Sequence, residues 1–495
     1  MKKYFFIFIV AFFASCSPVE QDVIITIDTE TVLNDCYIGN GAQWDPYQLD
    51  YGKGKLTISE ADWEKLYDRL DFMRPQFIRI MINTSSFVDQ GRLVPERGME
   101  VLSKMLDYCQ SRNVTVMFGD WGWSVIRARE AEIDSQSLRH AAALVDYLVH
   151  NKGYSCIRYY NLVNEPNGYW AATNKSFPLW ASSVRQFYQY MKEFDLIGEV
   201  GIVGPDIAIW DKAETGWIDS CAVQLNEQIE LYDIHTYPSK VTVNSGEYAD
   251  IIAAYKEKIP EGKKIVMGEI GFKFVEKADS LYQKENIRRA RSKVNASLED
   301  SQMFVYDYMY GTDMADALIQ TVNTGFSGSI AWMLDDAMHS NEAPDKLKIW
   351  GFWNIFGEEC FGAEEENVRP WYYAWSLLTR YMPAGTAVYR TDTTGEPFVK
   401  AAVSGKDGKY MIALVNVSDS PKTVKLKSDV LSSLSGCKKF IYSDGTLKQK
   451  GDCLLLPNDE NLILHLEKGE TVTMPAESLI VYTCLLYTSD AADEQ

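Results

Sequence analysis

Eight short apolar runs alternate with helical patterns between residues 36 and 382, and this alternation constrains the fold more than any other feature. Most of the runs lack a regular polar–apolar alternation, which is typical of parallel strands buried on both faces. The predicted strands are residues 37–42, 77–82, 114–118, 159–163, 200–203, 231–234, 264–267 and 328–332. Eight such units over roughly 350 residues predict an α/β fold, a (β/α)₈ TIM barrel with enlarged loops. A doubly wound open sheet is the alternative, but no glycine-rich phosphate-binding motif follows any early strand.

The clearest helical pattern begins at Ser59, where Asp62 three residues later forms a variant of the capping box. The residues that follow place one apolar face at helical spacing, with Trp63 and Leu70 among its members. Further helices are predicted near residues 98–111, 136–151, 177–194, 247–258, 303–324 and 369–381. These segments fill the gaps between the predicted strands, as a barrel requires.

The pattern changes after the last of these helices, where Pro383 and Gly385 end it and strands and turns follow. Seven strand-like runs are then spaced as in a small β-sandwich. We also predict that the early run 23–27 joins this sheet, because it precedes the barrel and no helix follows it. The predicted organisation is a signal peptide at 1–15, a linker and strand at 16–34, the barrel at 35–383, the sandwich at 384–484 and a non-native tail at 485–495.

The N-terminal segment has the features of a targeting signal. Lys2 and Lys3 precede the apolar run 4–13, which is too short to span a bilayer. Small residues then lead to Cys16, and this motif resembles the lipobox of bacterial lipoproteins. The resemblance implies cleavage before Cys16 and a lipid on its thiol. We therefore expect a protein anchored to the outer membrane, on its periplasmic side or at the cell surface, with a cleaved secretory signal as the alternative.

Composition excludes several classes of function. The net charge is −20 and no lysine- or arginine-rich run interrupts the acidity, which argues against a nucleic-acid partner. The nine cysteines show no metal-binding spacing; one or two disulfides are compatible with them, and the sequence does not pair them. Zinc-protease, nucleophile-elbow and EF-hand motifs are all missing from the sequence, so we predict neither a metal nor a cofactor. The 13 tryptophans and 29 tyrosines provide flat surfaces that suit sugars, although most should belong to the core.

Two of the predicted strands lead directly to a glutamate. Residues 159–163 lead to Glu165, and Pro166 stops the strand immediately afterwards; residues 264–267 lead to Glu269. The carboxyl ends of barrel strands face the active site. By position these are strands four and seven, from which two facing carboxylates can lie roughly 5 Å apart, as in a retaining glycosidase.

This pair, its order and its strand positions resemble clan A of the glycoside hydrolases, which are retaining (β/α)₈ enzymes. Asn-Glu-Pro at residues 164–166 is the clan's acid/base signature, so the resemblance implies that Glu165 is the acid/base and Glu269 the nucleophile. It covers about residues 36–381. The helix that begins near Arg369, followed by a β-sandwich, resembles families thirty and thirty-nine, whereas the barrel motifs equally resemble family five.

The same resemblance implies roles for further residues. Arg79 matches the strand-two arginine that steadies the nucleophile, and Asn164 the asparagine that binds the 2-hydroxyl of the sugar. His235 and Tyr237 match a strand-six pair whose tyrosine donates to the nucleophile. Trp332 matches the strand-eight tryptophan that forms the floor of the sugar subsite.

Each of these residues also has a structural explanation. Arg79 could form a buried ion pair, His235 could be a core histidine and Trp332 could pack inside the barrel. Asp120, Trp121 and Trp123 follow strand three and are candidates for the walls of a substrate site. Further candidates at strand ends are Trp44, Asp45, Asp335 and Asp336.

The sequence therefore predicts an envelope-anchored retaining glycoside hydrolase that cleaves β-linked poly- or oligosaccharides with two glutamates. One alternative is a non-catalytic surface lipoprotein that binds glycans on an inactive barrel. Another is a transglycosylase, which uses the same residues and a sugar acceptor. The sugar, the linkage, endo or exo action and the oligomeric state remain open.

Overall fold

The computed structural model describes residues 23–47, 56–127, 132–340 and 345–485. The predicted lipid attachment site at Cys16 lies outside them, as does all of the predicted tail except Leu485. None of the helices in these ranges is long and apolar enough to cross a bilayer.

Eight parallel strands form the barrel. They are β1 (Gly39–Ala42), β2 (Phe77–Ile82), β3 (Thr115–Asp120), β4 (Ile157–Asn161), β5 (Gly201–Ile209), β6 (Ile229–Thr236), β7 (Lys264–Ile270) and β8 (Gly328–Ala331). From β2 to β8 each strand pairs with the next in sequence, and β8 pairs with β1. A bridge between Gln43 and Arg79, with the Trp44 N–H donating to the Arg79 carbonyl at 2.9 Å, closes β1 onto β2. The predicted (β/α)₈ barrel is confirmed.

Ten α-helices accompany the described strands. They are α1 (Glu60–Met73), α2 (Met99–Ser111), α3 (Ser135–Asp146), α4 (Phe177–Glu193), α5 (Gly216–Gln224), α6 (Lys240–Asn244), α7 (Glu247–Lys256), α8 (Ser280–Ser292), α9 (Tyr308–Asn323) and α10 (Trp371–Tyr381). The capping box of α1 forms as predicted, with Ser59 Oγ accepting from the Asp62 N–H at 3.1 Å and Asp62 Oδ2 accepting from the Ser59 N–H at 3.1 Å. Helices α5, α6 and α8 were not predicted. Helix α8 buries only Ala290, so its sequence carries no apolar periodicity.

The barrel interior has an apolar floor and a polar upper layer. One small cluster, which includes Phe77, Val203 and Val266, fills the floor with side chains from most of the strands. Farther along the same strands, the buried residues are charged, with Arg79 on β2 and Glu269 on β7. Burying charge is costly unless the charges are paired, so this layer marks where the strands carry chemistry rather than packing.

A second sheet forms the β-sandwich. Its strands are Val23–Asn34, Ala387–Thr394, Val399–Lys406, Lys409–Asn416, Lys422–Lys427, Leu434–Tyr442, Asp459–Leu464, Glu470–Met474 and Ser478–Thr483. Side chains from both ends of the sheet order, such as Val424 and Leu434, pack in one core, which requires the sheet to fold into two facing layers. The first strand, Val23–Asn34, pairs antiparallel with Ala387–Thr394 and parallel with Lys422–Lys427.

Helix α9 joins the two domains. The Tyr442 hydroxyl donates to the Tyr308 carbonyl at 2.8 Å, and Lys400 forms an ion pair with Asp316 at 2.9 Å. Because α9 is buried along nearly its whole length, the sandwich packs directly against the wall of the barrel.

Candidate active site

Glu165 lies on the turn after β4, where the backbone points its side chain into the mouth of the barrel. Its φ is +45°, a left-handed conformation that is uncommon for a residue with a side chain and is often found at functional sites. The Glu165 N–H donates to Asp206 Oδ2 at 3.3 Å. Its carboxylate accepts from Trp170 Nε1 at 2.6 Å on Oε2 and faces His235 Nδ1 at 3.3 Å on Oε1.

Glu269 is the second-last residue of β7 and is buried. Its Oε1 accepts a short hydrogen bond from the Tyr237 hydroxyl, and its Oε2 accepts from Arg79 Nη1 at 3.1 Å. Burial raises the pKa of Glu269 above the ordinary glutamate value, with Glu165 adding to the rise, while His235 and Arg79 oppose it. Both oxygens are therefore held in place, and neighbouring positive charge favours the ionised form.

The two glutamates face each other across the barrel mouth. One oxygen of Glu165, one of Glu269 and a ring nitrogen of His235 all lie within 4.8 Å of one another. Carboxyl groups about 5–5.5 Å apart are typical of retaining glycosidases, whereas inverting enzymes leave a wider gap for a water molecule.

Arg79 connects these groups from below. Its guanidinium is fully buried and donates to Glu269, to Asp206 Oδ2 at 3.0 Å, to Asn164 Oδ1 at 2.8 Å and to Gln43 Oε1 at 3.0 Å. One cation thus joins side chains from β2, β5 and β7 and from the ends of β1 and β4. Its planar fork is suited to holding several acceptors at once.

A second charged unit lies beneath His235 on β6. The imidazole has an acceptor at each nitrogen, with Nε2 3.0 Å from Asp206 Oδ1 and Nδ1 facing Glu165. Burial alone would lower the pKa of His235, but Asp206 and Glu269 raise it well above its ordinary value. Conversely, burial opposes ionisation of Asp206, but Arg79 and His235 hold the pKa of this aspartate far below its usual range.

Asp233 also lies on β6 and completes this unit, with its carboxylate against β7. Its Oδ1 accepts from the Gly268 N–H at 2.7 Å, and a Cβ on Gly268 would collide with the carboxylate, so the close approach requires glycine. Burial raises the pKa of Asp233, and the adjacent negative charge of Asp206 adds to the rise. The unit therefore holds an ionised Asp206 next to a carboxyl group that favours the protonated form.

The same residues offer two arrangements of possible metal ligands. These are Glu165, His235 and Glu269, and Asp206, Asp233 and His235, with their candidate ligand atoms within 4.8 Å in each group. Arg79 already donates to carboxylates of both groups and brings a permanent positive charge to about 3 Å from each. A second cation at that distance would be repelled, so the donor set fits a charge network better than a metal centre.

An open cavity of about 720 Å³ lies above these residues. At one side, the Trp332 ring is 5.1 Å from the His339 ring, and His339 in turn is 5.7 Å from Trp121 in an edge-to-face contact. His339 Nε2 is also 2.8 Å from Asp45 Oδ2, which fixes the orientation of the ring. This wall has the mixture of aromatic faces and a few fixed polar groups that is typical of small-molecule sites.

The structure brings seven of the nine predicted site residues to the lining of this cavity. They are Glu165, Glu269, Asn164, His235, Tyr237, Trp332 and Trp121. Arg79 lies below the lining and reaches it through Glu269 and Asn164. Asp120 does not line the cavity; its buried carboxylate accepts from the N–H groups of Thr84 and Gly122, each at 2.6 Å, and holds the loop after β3.

The further candidates divide in the same way. Trp123 lines the cavity, and Asp45 contacts His339. Trp44 is fully buried in the core, and the carboxylates of Asp335 and Asp336 accept backbone N–H groups in the loop after β8.

Sequence reasoning missed several residues of the site. Asp206 lies beyond the predicted strand 200–203, whereas β5 continues to Ile209. A charged residue in the middle of that apolar run was the available signal. Trp170, Trp210 and His339 lie on loops, for which the sequence carried no periodic signal.

Neither a family model nor a curated protein sequence matches this chain. Solved structures match nearly its whole length. An endoxylanase of glycoside hydrolase family 30 from Clostridium papyrosolvens C71 superposes with a TM-score of 0.60 at 12% identity, covering 93% of this chain and 99% of its own. An α-L-arabinofuranosidase from Thermotoga maritima gives 0.62 at 13% identity, with 94% and 100% covered. A monomeric β-xylosidase from Caulobacter crescentus CB15 gives 0.58 at 13% identity, with 93% and 99% covered.

The chain has the fold of the clan A glycoside hydrolases. The match extends through both domains, since more than nine-tenths of this chain is covered in each comparison. In this structure Glu165 follows β4 and Glu269 lies near the carboxyl end of β7, the positions that strand order predicted.

Proposed function

We propose that this protein is a retaining glycoside hydrolase in which Glu269 is the nucleophile and Glu165 the acid/base. The observation that carries the proposal is the facing pair itself, with carboxylate oxygens within 4.8 Å and different surroundings. Glu269 is buried and fixed by Arg79 and Tyr237, whereas Glu165 is nearer to the cavity. Such a difference in environment is what separates the two roles.

In the first step, a Glu269 oxygen attacks the anomeric carbon and the bond to the glycosidic oxygen breaks. Glu165 gives its proton to that oxygen, so the leaving group departs as an alcohol. Arg79 and Tyr237 hold the attacking carboxylate in one orientation. Asn164, fixed by Arg79, is placed to accept or donate at the 2-hydroxyl of the sugar, a contact that strengthens in the transition state.

In the second step, water attacks the same carbon and releases Glu269. Glu165, now ionised, takes the proton of that water and returns to its starting state. The configuration at the anomeric carbon is inverted twice and is therefore retained. Trp332 and His339 form a wall at which the donor sugar ring can stack while both steps occur.

Pentose-containing glycans are the first substrates to examine, because the matched structures are named as xylanases, a xylosidase and arabinofuranosidases. β-Linked sugars, or the geometrically equivalent α-L-sugars, remain our expectation. Attachment to the cell envelope through a lipid on Cys16 is a separate proposal, based on the N-terminal sequence.

The test is turnover by the full chain of xylo-, cello-, manno- and galacto-oligosaccharides, together with aryl xylosides and arabinofuranosides. For any substrate cleaved, proton NMR in the first minutes gives the anomeric configuration of the product. We expect retention. An inverted product would contradict the retaining mechanism, and binding without turnover of any substrate would favour the glycan-binding alternative.

A change at Asp206 tests the charge unit beneath the acid/base. Asp206→Asn keeps the side-chain size, and asparagine tolerates the φ of +58° at this position. Loss of the negative charge removes the main support for protonated His235, so the imidazole should lose its proton at lower pH. We therefore expect the alkaline limb of the kcat/KM–pH profile to move to lower pH by about one unit.

The same profile separates this role from a structural one. If the substitution merely misfolded part of the protein, activity would fall equally at all pH values, and neither limb of the profile would shift. An unchanged alkaline limb in a variant with normal melting would show that Asp206 does not set the protonation of this unit.

A further inference from the structure

Three tryptophans depart from the usual burial of this residue type. All 13 tryptophans of the chain lie in the part that the structure describes, and Trp123, Trp170 and Trp210 are more than half exposed, at 58%, 51% and 54%. All three line the cavity above Glu165 and Glu269. Exposed aromatic surface gathered at one site marks a binding surface rather than random exposure.

Trp170 and Trp210 form a pair, which we call the Trp170–Trp210 platform. Their ring centroids are 6.0 Å apart and the planes meet at 89°, so one face and one edge border the same space. The Trp170 ring lies over Gly168, where a Cβ would collide with it. This glycine therefore allows the ring to lie flat against its own loop.

The platform is attached to the acid/base. Trp170 Nε1 donates to Glu165 Oε2 at 2.6 Å, so the indole lies next to the carboxyl group that must protonate the glycosidic oxygen. Whatever is bonded to that oxygen on the leaving side must pass beside this ring. The donor sugar, in contrast, must lie over Glu269, in the same cavity that Trp332 and His339 line.

We propose that the Trp170–Trp210 platform is a binding subsite for the leaving group and that this leaving group is itself a sugar ring. The inference rests on the proposed function and adds the class of bond cleaved, which is a sugar–sugar linkage. A pyranose has apolar C–H faces and a rim of hydroxyls. The half-exposed platform can cover such a face and leave the rim in water, whereas a wholly apolar aglycone would favour a closed pocket.

The experiment compares two substrates with the same donor sugar. One is the oligosaccharide that the full chain cleaves fastest, and the other is the glycosyl fluoride of its donor residue, whose leaving group has no ring. Trp210→Ala is expected to lower kcat/KM for the oligosaccharide by about tenfold, mainly through KM, because a tryptophan contact in a binding site is removed. We expect kcat/KM for the fluoride to change by less than about twofold.

Two further variants sharpen the comparison. Trp210→Phe keeps an aromatic face and should restore most of the loss. Tyr169→Ala removes an exposed ring beside Trp170 that does not line the cavity, and both substrates should be cleaved at the unaltered rate. Thermal melting of each variant verifies that it is folded.

Several outcomes would overturn the inference. They are equal losses on both substrates, no loss on the oligosaccharide, or the same selective loss in Tyr169→Ala. Cleavage of the fluoride but of no oligosaccharide would also overturn it and would leave the proposed hydrolase intact. Failure of the unaltered chain on both substrates would instead count against the proposed function.

Discussion

Replacing Glu269 by alanine is expected to lower kcat by about 10⁴-fold or more on every substrate that the protein cleaves. The change removes the atom that forms the covalent bond, so no leaving group can compensate for it. It also removes a partner of Arg79 and Tyr237 without enlarging a side chain in the barrel. Initial rates and burst kinetics on the best substrate provide the measurement.

The matched control is Glu299→Gln, which removes an exposed carboxylate next to Asp300, a residue of the cavity lining. Its turnover should equal that of the unaltered chain.

A small carboxylate such as formate can enter the space left by Glu269→Ala and attack the anomeric carbon once, so we expect partial recovery of turnover with an inverted product. If Glu269→Ala without added formate kept more than a few per cent of the normal turnover, another group would be the nucleophile.

Glu165→Gln should have the second largest effect, and the size should depend on the leaving group. General acid catalysis contributes about 10²–10⁴-fold. Oligosaccharides have poor leaving groups, so their kcat/KM should fall by that factor. A glycosyl fluoride needs little protonation, and its first step should be nearly normal. Because the amide introduced by this substitution cannot act as a base, hydrolysis of the intermediate should then be slow, and the covalent glycosyl-enzyme should accumulate.

Mass spectrometry of the quenched reaction measures this intermediate as a mass increase on the peptide that contains Glu269. The unaltered chain under the same conditions is the reference. Equal losses on oligosaccharide and fluoride, with no accumulation, would mean that Glu165 is not the acid/base. In that case His235, which faces it, becomes the next residue to replace.

The architecture could be predicted because the sequence signals were local and repeated. Most barrel strands are apolar runs short enough to be strands, and most helices have an apolar face. The missed elements lack this property. Helix α8 is largely solvent-facing, and the strand Ala387–Thr394 alternates between half-buried and exposed residues with only one buried side chain.

The proposed catalytic residues could be predicted to a similar extent, for similar reasons. Glu165 lies in the turn after β4 and Glu269 near the end of β7, so their position along the chain fixes their position in space. Asp206 lies in the part of β5 beyond the predicted strand 200–203, and its partners come from β2 and β6. The tryptophan platform depends on how two loops meet, which the spacing of residues along a chain does not encode.

The strand Val23–Asn34 has a consequence for how the protein is made. It is synthesised before the barrel but pairs with Ala387–Thr394 and Lys422–Lys427, which are synthesised after the barrel. About 350 residues separate its end from the first of these partners, so at 5–20 residues per second the strand waits unpaired for roughly 20–70 s. The barrel can form during this interval, whereas the sandwich closes only after its later strands have been synthesised. Premature termination before Ala387 would therefore leave Val23–Asn34 without either partner, as an exposed unpaired strand that quality control could recognise.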